Sequence, residues 1–151
     1  MNILRQVRIA PQRYSAAVVT IIILCTLAFI LGAVSQRRLQ VVMALSLSGL
    51  LSGNVWQLVT YSFAHLDLTH LLFNMLGLYF FGPRLESRMG SGRFVGFYLA
   101  AAVVAGLAFL VMSPLHPRGA EGMVLGASGS VFAILTLWAL LWPDDTVYLW
   151  F

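Results

Sequence analysis

The sequence predicts an all-α membrane protein, a polytopic helical bundle with four complete transmembrane helices and the start of a fifth. Three observations carry that expectation. Of the 151 residues, 60% are hydrophobic and 9% charged, against roughly 45–50% and about 25% in soluble domains. The apolar residues are gathered into long runs divided by short polar clusters, as expected when lipid is the solvent. The basic residues are all arginines and sit at the ends of those runs. The net charge of +4 therefore marks membrane boundaries, and with no basic stripe among exposed aromatics it excludes nucleic acid as a partner.

Tyr14 to Val34 contains no charge and is long enough to cross a hydrocarbon layer of about 30 Å. Arg5, Arg8 and Arg13 before it also suit a signal peptide, but the run exceeds the h-region of about 7–15 residues, so it is read as an uncleaved first span. From Gln36 to Asp67, short apolar pieces are broken by Ser46, Ser48, Gly49, Ser52, Gly53 and Asn54 and followed by Trp56 and Tyr61. This pattern suits a segment lying in the membrane interface, with a spanning helix over Leu39 to Leu51 as the alternative. A second span is expected from about Leu68 to Gly82, stopping at Pro83-Arg84, with Glu86 and the nearby arginines able to extend a last turn. Gly90-Ser91-Gly92 reads as a turn, Phe94 to Met112 as a third span, Gly122 to Trp142 as a fourth, and Val147 to Phe151 as the opening of a fifth. A cytoplasmic N-terminus puts six arginines inside and Arg37, Arg38 and Arg118 outside, in line with the positive-inside rule.

Polar groups inside such runs need a partner or a purpose. His70 and Asn74 are four residues apart and share a helix face; a polar pair of this kind also serves simply to satisfy backbone between packed helices. Gly126-Ala127-Ser128-Gly129-Ser130 opens the fourth span. Small residues there let a neighbouring helix approach, and a serine in a first helical turn also has free N–H groups beside it that can hold an oxyanion. The soluble-hydrolase elbow G-x-S-x-G is excluded, because its fifth position is Ser130 and no strand is expected before it. His65 and His70 are five apart, on different helical faces and without an acidic cluster, so no metal site is expected. Cys25, the single cysteine, reads as a small apolar residue.

Taken in order, Trp56-Gln57, His65, His70 with Asn74, Gly82, Glu86 to Gly90, and Gly126-Ala127-Ser128-Gly129 give a pattern that resembles the rhomboid family of intramembrane serine proteases from about Trp56 to Trp142. The resemblance implies a rhomboid-like helical bundle with Ser128 as nucleophile in the motif begun by Gly126 and Gly129. His70, Asn74 and the Ser128 N–H would hold the oxyanion. His65, Glu86 and Gly90 would be structural, and Trp56 would mark a partly embedded first loop. Two departures stand out. Gln57 replaces an arginine found in many relatives, which puts that loop's hydrogen bonding in doubt. The family's base histidine, in an Ala-His motif on a sixth helix, has no match among His65, His70 and His116.

Residues 1–151 are accordingly expected to form one rhomboid-type membrane domain, incomplete at its C-terminal end. A groove at Gly126, Gly129 and Ser130 is expected to await a sixth helix. The expected activity is a serine endopeptidase without cofactor or metal, acting on single-span membrane proteins near the outer face of a bacterial plasma membrane. The alternative is an inactive rhomboid-like protein that binds membrane clients without cutting them; a channel or transporter lacks the paired half-helices it would need.

Overall fold

The computed structural model describes residues 15–113 and 122–144; His116 and the fifth span expected to open at Val147 to Phe151 lie outside the described residues. Helix α1 spans Ala16–Val34. Its own first turn supplies no side-chain cap at Ser15, and the cap comes from Glu86, 69 residues away, whose two carboxylate oxygens accept from the Ala17 and Val18 amides at 3.0 Å each. Ser91 donates a third hydrogen bond to the same carboxylate at 2.6 Å. A buried carboxylate at the positive end of a helix is doubly favoured, by the free amides and by the dipole.

The chain leaves α1 through two left-handed residues, Gln36 and Arg37, and enters a region of short pieces: α2 (Arg38–Met43), β1 (Leu45–Ser46), α3 (Leu47–Leu51), α4 (Gln57–Thr60) and a tight turn over Tyr61–Phe63. None is long enough to span, which removes the alternative of a membrane helix over Leu39 to Leu51. Gln57, standing where many relatives are expected to carry arginine, is buried. It accepts from the Ser46 amide and donates to the Val42 carbonyl, both at 3.4 Å. Trp56 Nε1 donates to that same carbonyl, and Thr60 to Met43. The amide thus does the loop's hydrogen bonding without a charge.

Helix α5 runs from Leu68 to Met89, capped at its start by Asp67, which accepts from the His70 amide at 2.8 Å. The helix does not stop at Pro83-Arg84 but passes through Pro83 to Met89, which includes and exceeds the one further turn expected over Glu86. Proline removes one helical N–H, but Leu85 and Glu86 are both buried beyond it, and their packing and capping of α1 hold the last turns in place. Glu86 therefore lies within the helix, in the extension beyond Pro83 that it was expected to allow. Gly90 alone forms the break, with φ +85°, and Ser91 already begins α6 (Ser91–Met112).

The fourth span also begins later than expected. Met123–Val124 forms β2, antiparallel to β1 with Leu45 opposite Val124, and α7 covers Ser128–Leu141. A strand therefore does precede the serine, but it pairs with the first loop and belongs to no hydrolase sheet.

Helix α1 packs on α5, α5 on α7, and α7 on α6. Leu78, Leu85, Phe94, Tyr98 and Ile134 are fully buried among them. Glycines set the spacing: a Cβ at Gly82 would stand 2.7 Å from Val18, and one at Gly77 2.7 Å from Val131. Leu45 and Tyr61 of the loop seal against Ala102 and Leu110 of α6, with Tyr61 donating to the Ala102 carbonyl. Outside, Phe73, Phe80, Val104, Val111, Phe132 and Leu140 are exposed, an apolar girdle that only lipid or further protein can cover. Helices α1 and α6 are each long and apolar enough to cross a membrane.

Glu86→Ala should leave two buried amides unmatched and cost about 3 kcal/mol, since each orphaned buried donor costs roughly 1–3 kcal/mol. Ser91→Ala should cost about 1 kcal/mol. Unfolding in detergent measures both, and equal effects would contradict this account of the cap.

Candidate active site

The site is built on the turn that leads into α7. Gly126 has φ +121°, a conformation that side chains other than glycine's resist. It has no room for one either: a Cβ there would lie 2.5 Å from His70 Cε1 and 2.7 Å from His70 Nε2. The His70 ring therefore lies directly against the glycine two residues before Ser128. The turn is tied down by consecutive donors, the Gly126 amide to the Tyr61 carbonyl at 2.8 Å and the Ala127 amide to His65 Nε2 at 3.3 Å.

His65 and His70 meet edge to face, with ring centroids 5.1 Å apart. His65 precedes α5 and is not on it, so the expectation that the two histidines point to different faces of one helix fails. They converge on the same turn. No group of three metal-ligating side chains forms among the described residues. His65 is fully buried, and burial, reinforced by His70, pushes its pKa down to about 4. Neutral imidazole is what the geometry requires, because Nε2 must keep its lone pair to accept from Ala127. Nδ1 then carries the proton and faces the Phe63 carbonyl without closing a well-formed bond.

Asn74 lies one turn along α5 from His70, buried, and its Nδ2 donates to the His70 carbonyl at 2.8 Å. The second hydrogen on that nitrogen remains available. Ser128 is the first residue of α7 and is exposed. Its hydroxyl has no hydrogen-bond partner among the described residues, and no side chain caps this helix start. Free helix amides beside an unengaged hydroxyl are the arrangement that can hold developing negative charge next to a nucleophile.

The expected open groove at Gly126, Gly129 and Ser130 is absent. A Cβ on Gly129 would sit 2.5 Å from Ala105 Cβ of α6, Ser130 donates to the Tyr98 carbonyl, and Gly126 is covered by His70. These small residues seat the helices already in place, and Ser128 alone of the motif looks outward. Sequence reasoning missed Tyr61, whose carbonyl holds Gly126. A backbone acceptor leaves no residue-type signal, and Tyr61 read only as an interfacial aromatic.

Fold and site together define a helical membrane protein with an open serine at a helix start, on a turn that two histidines contact. The family described as "Rhomboid domain" matches residues 52–151. The chain is 36% identical over 119 residues to RHOMBOID-like protein 12, mitochondrial, of Arabidopsis thaliana, covering 71% of this chain and 35% of that protein. It is 38% identical over 82 residues to rhomboid protease GluP of Bacillus subtilis, covering 54% and 16%. It is 28% identical over 160 residues to rhomboid protease GlpG of Salmonella choleraesuis, covering 95% and 58%. The chain belongs to the rhomboid family, and it spans between about a sixth and three-fifths of the length of these relatives.

Stability should fall on acidification. The folded state lowers the His65 pKa from 6.5 to about 4, so the unfolded chain binds the proton more readily. Stability is full above pH 6.5 and declines as pH drops toward 4. Melting in detergent across that range checks this; His65→Gln should flatten the profile, and an unchanged slope would contradict it. Gly126→Ala should destabilise by more than 1 kcal/mol, combining backbone strain of about 1–3 kcal/mol with a clash on His70.

Proposed function

We propose that the protein is an intramembrane serine endopeptidase. The observation that carries this reading is an unengaged Ser128 hydroxyl at the first turn of α7, on a turn walled by His70 and anchored by His65. Depth supports it. Fourteen residues of α7 extend only about 21 Å, against a hydrocarbon layer of about 30 Å. The far end is marked as interfacial by Arg84, whose guanidinium lies 4.0 Å from the Trp142 ring centroid, and by Arg88 at 5.6 Å. A helix starting from that interface ends short of the other face, leaving Ser128 recessed within the membrane.

In this reading α1, α5 and α6 cross the bilayer, and α7 completes the fourth crossing together with residues 122–127 ahead of it. The N-terminus and the Arg84–Arg93 region are cytoplasmic, and the first loop lies in the outer leaflet. The membrane we assign is a bacterial plasma membrane, in keeping with the Bacillus and Salmonella relatives. The substrate is a single-span membrane protein whose helix unwinds near the outer face. Ser128 Oγ attacks the scissile carbonyl carbon and passes its proton to a general base, which the family resemblance places on a later helix. The tetrahedral oxyanion takes hydrogen bonds from the Ser128 N–H, from His70 and from the free hydrogen of Asn74. The protonated base gives its proton to the leaving nitrogen, and collapse breaks the C–N bond, releasing the amine and an acyl-enzyme that water hydrolyses. His65 cannot be that base, because its Nε2 is committed to the Ala127 amide.

Cleavage of a transmembrane substrate by the full-length protein should vanish in Ser128→Ala. It should fall on the order of 10²–10³ in kcat in His70→Ala and Asn74→Ala, the usual cost of an oxyanion donor. Wild-type rates in both would make the pair structural, and client binding without cleavage in the wild type would favour the non-catalytic reading. Cysteines placed at Arg88 and His116 should label from opposite sides of the membrane; labelling from one side would contradict the four-span topology.

A further inference from the structure

We propose that His65 is a positioning residue for Ser128, acting as a buried hydrogen-bond acceptor that fixes the Ala127 amide and so orients the start of α7. The role rests on the reading of Ser128 as the nucleophile. It is not needed merely to fill space, which a leucine would do.

Ala127 is fully buried, so its amide must find an acceptor or go unpaired at a cost comparable to a lost hydrogen bond. The other polar groups nearby are engaged: the Tyr61 carbonyl takes the Gly126 amide, the His70 carbonyl takes Asn74, and the Tyr98 carbonyl takes Ser130. His65 Nε2 is the acceptor that Ala127 has. Residues 61 and 65 of one short loop therefore grip two consecutive peptide planes. The Val131 amide holds the Ala127 carbonyl at 2.9 Å, so with those planes fixed the backbone position from which the Ser128 amide and side chain project is fixed as well. The same ring braces His70 edge-on, and His70 in turn lies over Gly126. One side chain thus sets both the turn carrying the nucleophile and the wall beside it.

The acceptor function has a protonation requirement. A protonated imidazole has no lone pair, so Ala127 would face a donor. The titratable groups around His65 are His70 on α5 and Asp67 at its cap; the turn into α7 contributes Gly126, Ala127 and Ser128, none of which titrates near neutrality.

The test uses the full-length protein with His65→Gln, which returns an acceptor near the Nε2 position, and His65→Leu, which fills space without one. Two quantities are measured: hydrogen exchange at the Ala127 amide, and kcat and KM on a transmembrane substrate. The expected result is that Gln keeps Ala127 protected and kcat within about three-fold. Leu should speed exchange and lower kcat on the order of 10²-fold with KM little changed, as for a nucleophile held in the wrong orientation. If Leu protects Ala127 and cleaves like the wild type, or Gln fails like Leu, the acceptor role is overturned. Should Leu not fold, Gln alone decides, since loss of protection or of kcat in it contradicts the proposal. A wild-type protein that protects Ala127 but cleaves nothing removes the nucleophile reading and the positioning role with it, while leaving the hydrogen bond itself intact.

Discussion

The close seating of His70 on Gly126 is the contact on which the rest of the site depends. It exists because position 126 lacks a side chain and adopts a left-handed conformation. Any Cβ would push α5 and the start of α7 apart and with them the loop that supplies Tyr61 and His65. The amide bonds from Gly126 and Ala127 then convert that close approach into a defined orientation. Packing density in a protein interior makes such contacts nearly all-or-none, so the turn has one arrangement or none that is useful.

Helix starts show how the rest of the molecule differs from this turn. In a membrane, unsatisfied backbone groups are costly. The start of α1 takes both carboxylate oxygens of a glutamate from a distant helix, and α5 takes Asp67. Helix α7 has no side-chain cap, its capping position being Ala127. Helix α6 lacks a side-chain cap too, but the serine that opens it is bonded to Glu86, whereas the Ser128 hydroxyl is unengaged; free donors beside that hydroxyl are the strongest physical support for an oxyanion there.

Much of the fold was legible in the sequence and less of the site. Runs without charge announced α1 and α6, and the scattered serines and glycines announced that the first loop would not span. Two boundaries were misread for local reasons. Pro83 signals a stop by its own chemistry, and only the distant α1 amides that need Glu86 explain why the helix goes on to Met89. Residues 122–127 are uncharged like the helix after them, and nothing in their composition reveals the strand pairing with Leu45 and Ser46. Ser128, His70 and Asn74 were recognisable as types at the right spacing. The convergence of His65 on the same turn was not, because it arises between a loop and a helix start 62 residues apart. Gln57 illustrates the converse: the residue looked like a defect in the loop's hydrogen bonding, and its amide turned out to meet both a donor and an acceptor.

The central claim is that Ser128 is an activated nucleophile. A fluorophosphonate reacts with serine hydroxyls that a neighbouring base has activated and an oxyanion hole can receive, so it reads the claim directly and needs no knowledge of the substrate. In full-length protein held in bilayer or mild detergent, peptide mass spectrometry should find the phosphonyl adduct on Ser128, with Ser130 unmodified and no adduct in Ser128→Ala. A folded protein that remains unlabelled at Ser128, or that labels equally after its replacement, would contradict the account.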